Sequence, residues 1–128
     1  MQPSLTIVER AIGDVTVLEL MGRFVDDHTD IFREAMNRLV RQGRQKVVLN
    51  FDQVDYVDSS GLGMLVSRYI RLSTHDGQLK LCNLHRRSFR VLEITKLLTV
   101  FPMYESEDDA VRSFQEPGAS PAELRMKD

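Results

Sequence analysis

Several residue types and patterns are scarce in this sequence, and each scarcity excludes a class of protein. Cys82 is the only cysteine, which excludes an internal disulfide and a cysteine-rich zinc site. No apolar run approaches the roughly 20 residues that a membrane-spanning helix needs. Residues 1–4 carry no basic segment followed by an apolar one, so no secretory signal is predicted. We therefore expect a soluble, cytoplasmic protein with no metal, no cofactor and no membrane partner.

The sequence also lacks a basic tract. Its 17 lysines and arginines are balanced by 19 acidic residues, which gives a formal net charge of −2. Nucleic acid, whose binding relies on clustered basic side chains, is therefore not an expected partner. With 128 residues, 42% of them apolar, the chain has the size of one domain with one core. We place that domain at residues 1–115 and expect residues 116–128, which are rich in proline, small and charged residues, to be disordered.

The spacing of the apolar residues changes along the chain, from a strand-like to a helical pattern. Two strand-like segments separated by Gly13-Asp14 come first, and amphipathic helices then alternate with short apolar strands. This order predicts an α/β domain with a mixed sheet. In chain order, the predicted elements are strands at 4–9 and 15–20, a helix at 27–42 stopped by Gly43, a strand at 46–51, a helix through Leu62 stopped by Gly77, a strand at 79–82, a short helix and turn over 89–97, and a last helix opened by residues 106–109.

Residues 57–63, Val-Asp-Ser-Ser-Gly-Leu-Gly, lie where a buried strand is predicted to end and an amphipathic helix to begin. The simplest interpretation is a helix cap, in which Asp58, Ser59 or Ser60 accepts a hydrogen bond from an otherwise unpartnered backbone N–H. A hydrolase elbow requires G-x-S-x-G, but Asp58 stands where the first glycine would precede Ser60. A phosphate-binding loop requires lysine after the second glycine, but Met64 stands there. The spacing therefore disfavours both catalytic and nucleotide-binding interpretations.

A third interpretation is a serine that receives a phosphate. The free N–H groups and the dipole of a helix N-terminus favour an added anion, and a phosphoserine adds about −1.5 to −2 charges. Gly61 and Gly63 carry no side chain, which would let a partner surface approach the hydroxyl closely. The residues alone leave the cap and the phosphorylation site open, and the two are compatible.

Residues 54–63 resemble the phosphorylation segment of the bacterial anti-sigma factor antagonists, which are small STAS-domain proteins. The similarity covers roughly the first 115 residues, the size of one domain. It implies a STAS fold: an α/β domain whose mixed sheet of about four to five strands carries helices mainly on one face. Arg23 departs from the pattern where glutamate is common, and Lys96 stands at a turn position where glycine is usual. The other matching segments are residues 20–22, 27–29, 47–50, 77–82 and 89–95.

The resemblance implies a partner switch without enzymatic activity. The unmodified antagonist binds a serine-kinase anti-sigma factor of the GHKL (HATPase) type, and the sigma factor is released. The kinase inactivates the antagonist by phosphorylating it, and a PP2C-type phosphatase restores it. An alternative within the same fold is a partner switch or accessory subunit that controls another output, such as a stressosome, secretion and biofilm formation, or lipid transport. We expect a monomer or a weak dimer.

Position in the motif implies that Ser59, directly after Asp58, is the phosphate acceptor, with Ser60 as the second choice. The predicted partner surface surrounds the acceptor and includes an acidic position supplied by Asp26 or Asp27. It consists of Asp26, Asp27, His28, Asp58, Ser60, Gly61, Leu62, Gly63, Met64 and Ser67.

Overall fold

The computed structural model describes residues 5–25, 30–96 and 100–115. Two strands are followed by helices that alternate with strands, as predicted, but the short strand at Met103–Tyr104 before the last helix was not predicted. The expected disordered tail at 116–128 lies outside the described residues, as do Asp26, Asp27 and His28. The elements are β1 (Leu5–Ile12), β2 (Val15–Phe24), α1 (Asp30–Arg41), β3 (Lys46–Val57), α2 (Ser59–Ser73), β4 (Gln78–Cys82), α3 (Arg86–Ile94), β5 (Met103–Tyr104) and α4 (Glu107–Gln115).

Five strands form one mixed sheet in the order β1-β2-β3-β4-β5. β1 and β2 are antiparallel and joined by the Gly13-Asp14 turn, and the other neighbours are parallel. Gly13 has a φ of 62°, a left-handed conformation that glycine adopts without steric cost. β3 continues past its last pairing with β4, at Asn50, and reaches Val57 beside the end of β2. The helix that follows β3 therefore begins next to the end of β2.

Helices cover both faces of the sheet. Successive residues of a strand point to opposite faces. Leu18 and Leu49 accordingly belong to the larger core, to which α1, α2 and α3 contribute, whereas Val17 and Val48 belong to a smaller core with α4. The prediction that helices lie mainly on one face is confirmed, with α4 as the helix on the other face. This two-sided burial explains why β3 is apolar at nearly every position from Val47 to Phe51.

Left-handed residues end several elements. Gly43 (φ 71°) donates its N–H back to α1, which confirms the predicted stop of that helix. Gly77 donates its N–H to the carbonyl of Leu72 at 2.9 Å and so closes the end of α2, as predicted, although the left-handed residue there is Asp76 (φ 63°). A side chain at position 77 would also crowd the helix, because a Cβ there would lie 2.5 Å from the Leu72 side chain. Lys96 (φ 61°) occupies the usual glycine position in a left-handed conformation, at a cost of about 1 kcal/mol.

A polar network attaches α4 to the sheet. Arg10 of β1 donates to the two carboxylate oxygens of Glu107 at 2.9 and 2.5 Å, and Asn50 of β3 donates to Oε1 of Glu107 at 3.0 Å. Asn83, directly after β4, donates to Oδ1 of Asn50 at 3.1 Å. The hydrogen bonds from Arg10 hold the pKa of Glu107 below its ordinary value. The first residue of α4 is thereby hydrogen-bonded to β1 and β3 directly, and through Asn50 to the residue that follows β4.

Replacing Glu107 with glutamine should lower the free energy of unfolding by about 1–2 kcal/mol at pH 7, because its charged hydrogen bonds with the partly exposed Arg10 are lost. The pKa of Glu107 is lower in the folded than in the unfolded protein. Its contribution is therefore present above about pH 4.3 and is lost as the pH falls through the folded-state pKa. Urea denaturation at pH 7 and pH 3 should give a larger gap between wild type and variant at pH 7.

Asp108→Asn is the matched control, since Asp108 is exposed in the same helical turn. Removing its charge should change the free energy of unfolding by about 0.5 kcal/mol or less. Equal losses in the Glu107 and Asp108 variants would contradict a specific role for the network.

Candidate functional site at the start of helix α2

Asp58 is the N-cap of helix α2. It has an extended backbone (φ −117°, ψ 177°), and its Oδ1 accepts the N–H of Gly61 at 2.8 Å. Of the three predicted cap residues it is Asp58 that caps, and Ser59 and Ser60 are the first two residues of the helix. Both serines are exposed, and within the described residues neither hydroxyl takes part in a hydrogen bond. The cap thus fixes the helix start and leaves the two hydroxyls accessible.

The two glycines of the motif have different roles. Gly61 is buried, and a Cβ there would lie 2.1 Å from the carbonyl oxygen of Phe24 at the end of β2. The backbone N–H of Asp58 donates to the same carbonyl at 3.4 Å. The expectation that Gly61 gives a partner access to the hydroxyl is therefore wrong, since Phe24 occupies that space. Gly63 is exposed with nothing within 4 Å of its Cβ position, so a partner can approach there.

One face of α2 is open to solvent from its first turn onward. Ser60, Gly63 and Ser67 are exposed at i, i+3 and i+7, which places them on one side of the helix. Leu62 is 3% exposed and belongs to the larger core, whereas Met64 is half-buried against that core. Leu62 therefore anchors the helix and presents no side chain to a partner. The exposed predicted contacts form one continuous strip beside the serines.

The other predicted contacts precede α1. Asp26, Asp27 and His28 lie outside the described residues. They follow closely on Phe24, whose backbone contacts the first turn of α2. Their place in the predicted partner surface stays a prediction.

The histidines in the described part of the chain are engaged away from the serines. Nδ1 of His75 lies 2.9 Å from the carbonyl oxygen of Arg71, and Nε2 of His85 lies 2.7 Å from that of Asp52. The described residues contain no group of three His, Cys, Asp or Glu that could hold a metal ion. None of the helices in the same ranges is long and apolar enough to cross a membrane. Cys82 is fully buried in the smaller core, as its apolar strand predicts.

Two arginine contacts, one beside the end of β2 and one on α2, were not predicted from the sequence. The guanidinium of Arg23 lies 5.3 Å from the ring centroid of Tyr56, its partner across β2 and β3. Arg68 of α2 donates from Nη1 to Oδ1 of Asn37 on α1 at 2.6 Å. The sequence does mark Arg23 as unusual, and α2 contains arginine but no carboxylate. Which residues these arginines contact depends on strand register and helix packing, which a residue pattern does not contain.

Gly61→Ala should lower the free energy of unfolding by about 1–3 kcal/mol, because the new Cβ would have to displace the backbone of Phe24. Gly63→Ala is the matched control two residues along the same helix. Its Cβ would meet nothing within 4 Å and alanine favours helix, so stability should stay unchanged or rise by up to about 1 kcal/mol. Urea denaturation measures both values, and equal stability of the two variants would contradict the close approach at Gly61.

Comparison with known sequences places this chain in a family. The family model described as the STAS domain matches residues 6–110, which include the start of α2. An anti-sigma F factor antagonist from Paenibacillus polymyxa is 27% identical over 103 residues, which cover 79% of this chain and 87% of that relative.

Solved structures share the fold. An anti-sigma factor antagonist from Mycobacterium paratuberculosis matches with a TM-score of 0.78 at 23% identity, over 91% of this chain and 98% of that chain. The phosphorylated form of the Bacillus cell fate determinant SpoIIAA matches with a TM-score of 0.68 at 20% identity, over 85% of this chain and 99% of that chain. The five-stranded mixed sheet with its four helices is the fold that the resemblance implied. Together with the family match over most of its length, these findings show that this chain belongs to the STAS domain family.

Proposed function

We propose that this protein is an anti-sigma factor antagonist whose binding is switched by phosphorylation of Ser59. The observation that carries the proposal is the exposed hydroxyl of Ser59 on the first turn of a helix that Asp58 already caps. Relatives in the same family are named anti-sigma factor antagonists, and SpoIIAA, which has the same fold, has a phosphorylated form. The protein acts by binding and carries out no chemistry of its own.

The helix start can accept a phosphate without refolding. The N–H groups of the first helical residues have no intrahelical partner, and the helix dipole favours negative charge at this end. Gly61 is already bonded to Asp58, so the cap persists when the neighbouring hydroxyl is modified. Leu62 packs into the core on the inner side of α2, whereas Ser59 and Ser60 are exposed on its outer side. Modification therefore changes the charge of the surface and leaves the fold in place.

The proposed reaction uses only the hydroxyl of this protein. The Oγ of Ser59 attacks the γ-phosphorus of ATP held by a GHKL-type serine-kinase anti-sigma factor. The bond to the bridging oxygen breaks, ADP leaves and the hydroxyl proton passes to a base of the kinase. A PP2C-type phosphatase hydrolyses the phosphoester to serine and inorganic phosphate. Ser60, one position further along the same exposed turn, is the second choice of acceptor.

The partner surface is the open face of α2. Ser60, Gly63 and Ser67 form its exposed strip, and Gly63 is where another protein can approach the helix backbone. Met64 flanks the strip, and Asp26, Asp27 and His28 complete the proposed surface. A phosphate on Ser59 introduces about two negative charges at the end of this strip. Binding to the anti-sigma factor is then weakened by charge repulsion and by the cost of desolvating the phosphate.

Mass mapping after incubation with ATP and the GHKL-type kinase encoded nearest in the genome tests the acceptor. We expect one phosphate, on the peptide that contains residues 57–63, at Ser59. Ser59→Ala should abolish labelling, whereas the matched control Ser60→Ala should retain it. Labelling of Ser60 in the wild-type protein would transfer the role to that residue. An unmodified peptide with an active kinase would contradict the switch.

Binding of the same kinase tests the consequence of modification. Ser59→Asp should raise the Kd at least about tenfold, equivalent to about 1.4 kcal/mol, because it adds negative charge to the contact surface. Ser59→Ala should bind as the wild type does, since it adds no charge. Isothermal titration calorimetry measures both affinities. Unchanged affinity of Ser59→Asp would contradict a charge-controlled surface.

Displacement of a sigma factor from the kinase identifies the output. We expect the unmodified protein to release a sigma factor from a preformed complex with the kinase-type anti-sigma factor. The reason is that this protein and the sigma factor would compete for binding to it. Kinase binding without such release would assign the same switch to another output, such as a stressosome, secretion and biofilm formation, or lipid transport.

A further inference from the structure

Helix α2 differs in charge from the rest of the chain. The protein has a net charge of −2, yet residues 59–73 contain two arginines and no carboxylate. Arg68 is half-buried and Arg71 is exposed, one turn apart on the helix. Surface helices usually intersperse both signs of charge. A helix with arginine alone therefore presents a local excess of positive charge.

A third arginine joins this group from α1. Arg68 donates from Nη1 to Oδ1 of Asn37 at 2.6 Å and from Nη2 to Oγ of Ser67 at 2.9 Å. Asn37 is one helical turn after Arg33, so the contact brings Arg33 to the side of α1 that faces Arg68. We call Arg33, Arg68 and Arg71 the arginine face.

The positive charge of the arginine face is only partly neutralised by neighbouring carboxylates. Within the described residues, Arg33 forms an exposed ion pair with Asp30 at 2.9 Å, but neither Arg68 nor Arg71 forms one. The Nε of Arg68 is buried and has no hydrogen-bond partner. Burial, and next the charges of Arg71 and Arg33, lower the pKa of Arg68. Arg68 is therefore repelled by both Arg71 and Arg33, and an anionic surface placed against the three arginines would relieve that repulsion.

The arginine face continues the exposed strip of α2. Ser67 of the strip contacts the arginine face directly, because its hydroxyl accepts a hydrogen bond from Arg68. From Ser60 to Arg71 the helix rises about 16 Å, which is a length that one protein surface can span. Ile70, which is 56% exposed beside Arg71, adds an apolar contact at the far end. The phosphorylation site and the arginines thus lie at opposite ends of one surface.

We propose that the arginine face docks on an acidic patch of the kinase-type anti-sigma factor and gives this protein its choice of partner. The inference rests on the proposed function and names the chemistry of the surface that the partner must carry. A phosphate on Ser59 has the same sign of charge as such a patch, so modification opposes the attraction that the arginines supply. Complementary charge of this kind speeds association and makes it sensitive to salt.

Charge reversal tests the arginine face in the full-length protein. Arg33→Glu and Arg71→Glu are each compared with wild type for binding to the same kinase by surface plasmon resonance at 50 and 300 mM NaCl. Each variant should raise the Kd about tenfold or more at 50 mM NaCl, mainly through slower association, with a smaller effect at 300 mM. Arg68 is left intact because it also donates a hydrogen bond to Asn37 of α1, so its loss would change the contact between the two helices as well.

Arg90→Glu is the matched control, an exposed arginine on α3 outside the arginine face. Its Kd should stay within about twofold of wild type, and unchanged urea denaturation of all three variants shows that they fold. Equal losses in Arg90→Glu and Arg71→Glu would overturn the proposal, because they would indicate general attraction to a positive protein. Full binding by both Arg33→Glu and Arg71→Glu would overturn it as well.

The two proposals fail in different ways. If Ser59→Asp abolishes kinase binding and the arginine variants bind normally, the arginine face is wrong and the switch stands. If the arginine variants lose binding and Ser59→Asp does not, the arginine face is supported and the phosphoserine switch is wrong.

Discussion

A Cβ atom at position 61 would lie 2.1 Å from the carbonyl oxygen of Phe24, so α2 can begin directly against the end of β2 only with glycine there. Asp58 stabilises the same turn from its other side, by accepting the N–H of Gly61 at 2.8 Å. With both contacts in place the helix cannot rotate or slide without a clash or the loss of its cap. This constraint turns Leu62 into the core and Ser59 and Ser60 outward.

A second set of contacts, which attaches α4, lies on the other face of the sheet. Glu107 attaches α4 to Arg10 of β1 and to Asn50 of β3, and its contacts do not include the exposed strip of α2. The helix that presents the serines and the network that holds α4 therefore use different faces of one sheet. A charge added to Ser59 acts on the surface of α2 without breaking the polar contacts of Glu107. Under the proposed function, that separation would let the surface of α2 be regulated while the core of the domain stays unchanged.

The sequence predicts the order of elements and the position of the motif, because both depend on local patterns. The turn at Gly13 and the helix stop at Gly43 follow from their neighbours alone. What could not be predicted depends on residues far apart in the chain. Gly61 and Gly63 look equivalent in the sequence. Only the packing against β2 shows that a side chain is excluded at position 61 and would be accommodated at position 63. The contact of Arg68 with α1 requires the packing of two helices in the same way.

A switch built on this surface has to work through charge. The start of α2 is capped by Asp58 and hydrogen-bonded to the end of β2, so its backbone has little freedom to move. A phosphate there therefore alters mainly the electrostatic potential at the surface. Residues 59–73 carry two arginines and no carboxylate, and one phosphoserine adds about −1.5 to −2 charges. Modification therefore nearly cancels the positive charge of α2 itself. An acidic partner would lose most of its attraction to the helix, and slower association is the first consequence of that loss.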